Sequence, residues 1–150
     1  MKELNELAFE HAWKYFEVHS QQRMTVFNFY ITVVGLLAAG CGIALQQGGK
    51  FMYFSIILGF FISFITFIFY KLDGRVSVLI KNSEKALKNL EMNYEHTSAK
   101  IFLSEDSQHY INSGLFSVWT YGRCFRIVFS ALGLTGLFLG CTPIILYFFK

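Results

Sequence analysis

Three stretches of this chain, residues 24–45, 51–70 and 127–149, each run for twenty or more positions without a charged side chain. That is the length an α-helix needs to cross about 30 Å of hydrocarbon. Within the first, the small or polar residues Asn28, Thr32, Gly35, Ala39, Gly42 and Gln46 recur at steps of three or four and share one helix face. Phe27, Tyr30, Ile31, Val34, Leu37 and Leu45 occupy the other faces and are expected to meet lipid. The second stretch repeats the device with Ser55, Gly59, Ser63 and Thr66, and the third with Gly133, Gly136 and Gly140, the last two forming a GxxxG. Small residues let helix backbones approach closely, and polar ones at this depth must meet protein or water.

The link between the first two stretches, Gln46, Gln47, Gly48, Gly49 and Lys50, is too short for anything but an antiparallel hairpin, and its small-residue faces are the natural contact surfaces. Thirteen Phe, Ile or Leu between positions 51 and 69 outweigh the few Ser, Thr and Gly of the second stretch. Pro143 frees the carbonyl of Leu139 near the end of the third.

Outside these spans the pattern becomes amphipathic. In residues 2–23, Leu4, Leu7, His11, Tyr15 and Val18 form one line, with Glu3, Glu6, Glu10, Lys14 and Glu17 interspersed. No Gly or Pro precedes Val34, so this helix can run unbroken into the first span, with Ser20, Gln21 and Gln22 as the place for a bend. After Lys71, residues 72–94 carry an apolar line of Leu72, Val76, Leu79, Ile80, Leu87, Leu90 and Tyr94, and Glu84 to Lys88 is a helix-stabilising pair. Asp73 and Gly74 either break this helix or are absorbed in one rod. The signal weakens over 95–122, where Ser104 to Ser107 reads as a helix start and Tyr110, Ile111, Leu115, Phe116, Val118 and Trp119 supply apolar surface.

The predicted fold is therefore an all-α membrane protein, one membrane domain over 1–150. It divides into a cytosolic N-terminal helix (1–23), three transmembrane helices (24–45, 51–70 and 127–149) and a cytosolic helical segment (71–126). Strands would need an alternation of apolar and polar positions that is not found. Composition agrees: 54% hydrophobic residues against 15% charged, with one Pro, suits long apolar helices. Charge sets the orientation. With the N-terminus inside, eleven of thirteen Lys and Arg and all ten acids lie inside, leaving Lys50 and Lys150 outside, so the chain is N-in and C-out. The first residues carry four Glu before the apolar run, unlike a secretory signal. The cytosolic portion is small for a core of its own, which implies that copies pack side by side and complete one another.

Little in the sequence carries reaction chemistry. Cys41, Cys124 and Cys141 form no CxxC pair and read as free thiols, and His11, His19, His96 and His109 show no ligand spacing, so no metal or cofactor is expected. The net charge of +3 is too small and dispersed to imply direct nucleic-acid binding. No phosphate loop, catalytic triad or paired carboxylates can be identified, which argues against an enzyme. Arg23, Asp73 and Arg75 stand at the membrane boundary, where they would gate, hold lipid headgroups or simply anchor the spans. The stripe Asn28, Thr32, Gly35, Gly42 and Gln46 has two readings, a close-packing surface or a water-contacting face lining a pore built from several copies. No charged ring sits at mid-membrane, so strong ion selectivity is not predicted.

The run from Trp13 to Phe29 (WKYFEVHSQQRMTVFNF), followed by Lys71-Leu72-Asp73-Gly74-Arg75 and Glu84-Lys85-Ala86-Leu87, resembles the RipA-like octameric membrane proteins of bacteria. Its marks are a Gln-Arg entry to the first span, an aromatic-Asn pair, and a Leu-Asp-x-Arg exit from the second. That family looks related to the small membrane-pore accessory proteins of RNA-targeting CRISPR systems. The resemblance implies an octameric pore of the bacterial inner membrane with a cytosolic vestibule, acting in phage defence or stress with a cytosolic defence-system partner. The Arg-x4-6-His pattern discussed for those accessory proteins is missing here, so ribonuclease activity is not carried over. The competing class is a non-conducting membrane scaffold that recruits a cytosolic partner.

Overall fold

The computed structural model describes residues 2–92, 100–104 and 119–148, and all regular structure among them is helical. Helix α1 spans Lys2–Gln47, α2 Met52–Glu91 and α3 Tyr121–Phe148, with a 3-10 turn at Gly49–Phe51 between the first two. All three are long and apolar enough to cross a membrane. The helix of α1 is continuous through Ser20 to Gln22, and that of α2 absorbs Asp73 and Gly74 in one rod. At 1.5 Å per residue, α1 is about 69 Å long, more than twice the hydrocarbon thickness. The hairpin turn rests on Gly48 and Gly49, whose φ of 66° and 56° lie in the left-handed region that only glycine adopts freely, and the Phe51 amide closes it on the Gly48 carbonyl at 3.1 Å.

The chain forms two compact units, one of residues 25–73 and 121–150 and the other of residues 1–24 and 74–120. In the first, Tyr30, Val34, Cys41, Ile62, Phe125 and Phe129 form a buried cluster. Phe27 stacks flat on Phe125 at 4.0 Å between ring centroids and meets Phe129 edge-on at 5.8 Å. The apolar side of α1 therefore divides: Phe27, Tyr30, Val34 and Leu37 pack inward, whereas Phe29, Ile31, Leu36 and Ile43 remain outside. This corrects the expectation that the whole apolar side meets lipid. Aromatic rings on α1 and α3 interlock, and burying them against one another gains packing contacts that lipid would not improve.

The α2–α3 crossing is built on glycine. A Cβ on Gly59 would come within 2.7 Å of the Gly140 Cα and 2.8 Å of the Gly136 carbonyl oxygen, and one on Gly136 within 2.9 Å of the Gly59 carbonyl oxygen. The Ser63 hydroxyl bridges the same crossing by donating to the Gly133 carbonyl at 2.9 Å. Among the described residues no buried side-chain polar atom lacks a hydrogen-bond partner. Thr66 donates to the Ile62 carbonyl at 2.7 Å, which makes Tyr30 the donor in its 3.0 Å bond to the Thr66 hydroxyl.

The second unit is held differently. On α2, Val76, Ile80 and Leu87 of the predicted apolar line are buried here, whereas Leu72 of that line falls in the first unit and is 40% exposed. Phe102, in a helical turn at 101–104, packs edge-on against Trp13 and Phe16 at 6.3 and 5.6 Å. Glu91, only 2% exposed, receives the Phe102 and Leu103 amide protons at 3.3 and 3.1 Å, one on each carboxylate oxygen. The helix start expected after Ser104, with its apolar surface from Tyr110 to Val118, lies outside the described residues.

Candidate functional site

The predicted stripe of α1 is where sequence and structure meet most informatively. Asn28, Thr32, Gly35, Ala39, Gly42 and Gln46 are all exposed, on the side of α1 away from the buried Tyr30, Val34 and Cys41. A Cβ on Gly35 or Gly42 would have nothing within 4 Å. The stripe is thus not the contact surface of the hairpin, contrary to the expectation for the two small-residue faces. Packing inside the chain uses Ser55, Gly59, Ser63 and Thr66 of α2 instead, opposite the glycines of α3 and the Tyr30 side of α1.

The chemistry of the stripe is polar but uncharged. Thr32 donates its hydroxyl proton to the Asn28 carbonyl at 3.0 Å, so its oxygen keeps acceptor capacity. The carboxamides of Asn28 and Gln46 are exposed. An amide facing hydrocarbon has no partner, so this face calls for water or another protein surface.

The boundary residues separate. Asp73 is buried at 9% exposure, Arg75 is exposed two positions on, and Arg23 is half-buried. Positions two apart project to different sides of a helix, so Asp73 and Arg75 do not make one site. Lys71 lies over the Phe67 ring at 5.5 Å, the contact of a snorkelling cation at a membrane edge. Among the described residues no group of three or more His, Cys, Asp or Glu could hold a metal, and His96 and His109 lie outside them. Cys41, Cys124 and Cys141 are free. Sequence reasoning missed two polar anchors, the Tyr30–Thr66 pair and Glu91. The first shows in the sequence only as a Tyr and a Thr inside apolar runs, and the second only as one more acid on an amphipathic helix.

These features define an all-helical membrane protein with a closed glycine-built core and one polar face left open. The chain belongs to the octameric membrane protein family (8xMP), whose model matches residues 6–142. It is similar to CD-NTase-associated protein 19 of Escherichia coli, with 55% identity over 139 residues that cover 93% of this chain and 92% of that protein. No solved structure matches. Neither description names a reaction or a CRISPR system.

Proposed function

We propose that this chain assembles as a homo-octamer into a non-enzymatic pore of the bacterial inner membrane, acting as an effector of antiphage defence. The observation that carries the reading is the exposure of all six stripe residues of α1 in a chain whose other small-residue faces are used in its own packing. A ring of copies related by rotation would turn the same face of each α1 to the axis and give the Asn28, Thr32 and Gln46 side chains water. The family's description as octameric supports self-association. The name of the Escherichia coli relative supports a link to a CD-NTase system, in place of the CRISPR link suggested by the resemblance.

The proposed orientation is N-in and C-out, which keeps most cationic side chains on the cytosolic side. A cytosolic signal would open the pore only by binding the open arrangement more tightly than the closed one. Arg23, Asp73 and Arg75 are the proposed boundary residues through which such a change would reach the spans.

The test is ion flux through purified protein in planar bilayers, with native mass measured in parallel. Asn28→Leu with Thr32→Leu is expected to keep an assembly of about eight copies and lose at least about tenfold in conductance, because the polar lining becomes apolar. Unchanged flux would remove the stripe from the pore. A wild-type octamer that conducts nothing, with or without the cytosolic defence-system partner, would favour the scaffold.

A further inference from the structure

The unit of residues 1–24 and 74–120 exposes two surfaces that differ in charge. On α1, Leu4, Leu7 and Val18 are 70%, 61% and 58% exposed, and Tyr15 lies on the same line. Leu7, Tyr15 and Val18 line a shallow groove along the helix together with Glu10, His11, Lys14 and His19. Glu6, Glu10 and Glu17 are exposed along this helix, with Lys14 exposed among them. Glu10 is paired with Lys14 at 2.8 Å, and this contact holds the Glu10 carboxyl below its ordinary pKa. On α2, Val78 is 56% exposed among Arg75, Lys81 and Lys85, all three exposed.

We infer that these are the two halves of one contact between copies of this chain: the apolar line of α1 with the glutamates beside it receives the Val78 face of the next copy's α2, and Glu10 and Glu17 meet that copy's Lys81 and Lys85. The inference rests on the oligomeric reading above and adds which surfaces meet. Two observations commit the occupant to a second copy. First, the surfaces are complementary: an apolar line beside Glu6, Glu10 and Glu17 on α1, and Val78 among Arg75, Lys81 and Lys85 on α2, the composition of a protein interface. Second, a closed ring of more than two copies needs a head-to-tail contact between two different patches, and one unit supplies both.

The experiment reverses charge on one surface at a time in the full-length protein and reads native mass in nanodiscs. Glu10→Lys with Glu17→Lys makes both surfaces basic, and Lys81→Glu with Lys85→Glu makes both acidic. Each variant alone is expected to lose its octamer population by about tenfold or more, since like charges then face each other at every contact. Co-expressed, the two are expected to re-form rings in which they alternate, with equal numbers of each. The chain carrying all four substitutions is expected to assemble by itself, which also shows that the substitutions permit folding. Wild-type-like assembly of either two-site variant would overturn the inference, as would failure of the co-expressed pair to re-form. A wild-type chain that is monomeric would instead overturn the oligomeric reading, and its mass is read before any variant is made.

Discussion

Gly35 and Gly42 of α1 can be compared with Gly59 of α2 and Gly136 of α3. All four belong to rows of small residues repeating every three or four positions in an apolar span. An added Cβ at Gly59 or Gly136 would strike backbone of the facing helix, whereas at Gly35 or Gly42 it would meet nothing within 4 Å. One row is the seam of the subunit's own core and the other is open. The periodicity is the same, so what separates them is the opposing surface. Glycine facing glycine allows backbone contact, with a Ser63 hydroxyl to close it. The row with Asn28 and Gln46 carries carboxamides that a dry seam of this kind could not satisfy.

Substitution of the glycines should show the largest difference. Gly59→Ala and Gly136→Ala are expected to destabilise the subunit by about 1–3 kcal/mol or more through overpacking against backbone, and Gly59→Leu to prevent folding. Gly35→Ala and Gly42→Ala should leave subunit stability unchanged or raise it by up to about 1 kcal/mol through helix propensity, and change only assembly or flux. SDS titration followed by circular dichroism measures the first effect, and native mass with conductance the second. Equal losses at all four glycines would show that the α1 row is also a packing seam of the subunit.

Smaller effects calibrate the closed side. Glu91→Ala removes the acceptor of two amide protons and should cost about 1–3 kcal/mol, read as faster hydrogen exchange at Phe102 and Leu103, while leaving the Gly59 seam protected. Tyr30→Phe removes the donor to Thr66 and should cost about 0.6 kcal/mol, the average for a hydrogen bond between membrane helices. Its loss should be no larger in the assembled protein than in the isolated subunit, because Tyr30 is fully buried within one chain.

Much of this architecture was legible in the sequence. Charge-free runs of span length and the absence of helix breakers before Val34 predict α1 and the hairpin, and the adjacent Gly48 and Gly49 predict its turn. The choice of inward face was not legible, because a stripe of period 3.6 records which residues share a side and nothing about what lies across from it. Tyr30 and Phe27 fall on a side that reads as lipid-facing until Phe125 and Phe129, about a hundred positions later, are brought against them. Glu91 was silent for the same reason, since the amides it accepts from are eleven and twelve residues away. The candidate stripe itself was named in full by the sequence. Its exposure required the fold.

The most direct test of the open row is reaction with a charged, membrane-impermeant thiol reagent during conductance recording. Thr32→Cys on the stripe is compared with Phe138→Cys, which is 69% exposed on the side of α3 away from Gly136 and Gly140, and the unsubstituted chain serves as the blank for Cys41, Cys124 and Cys141. Such reagents attack the thiolate, which forms in water and not in hydrocarbon. A pore lined by the stripe predicts that Thr32→Cys is modified and its conductance altered, while Phe138→Cys is untouched. Modification of neither, or of both alike, would contradict it.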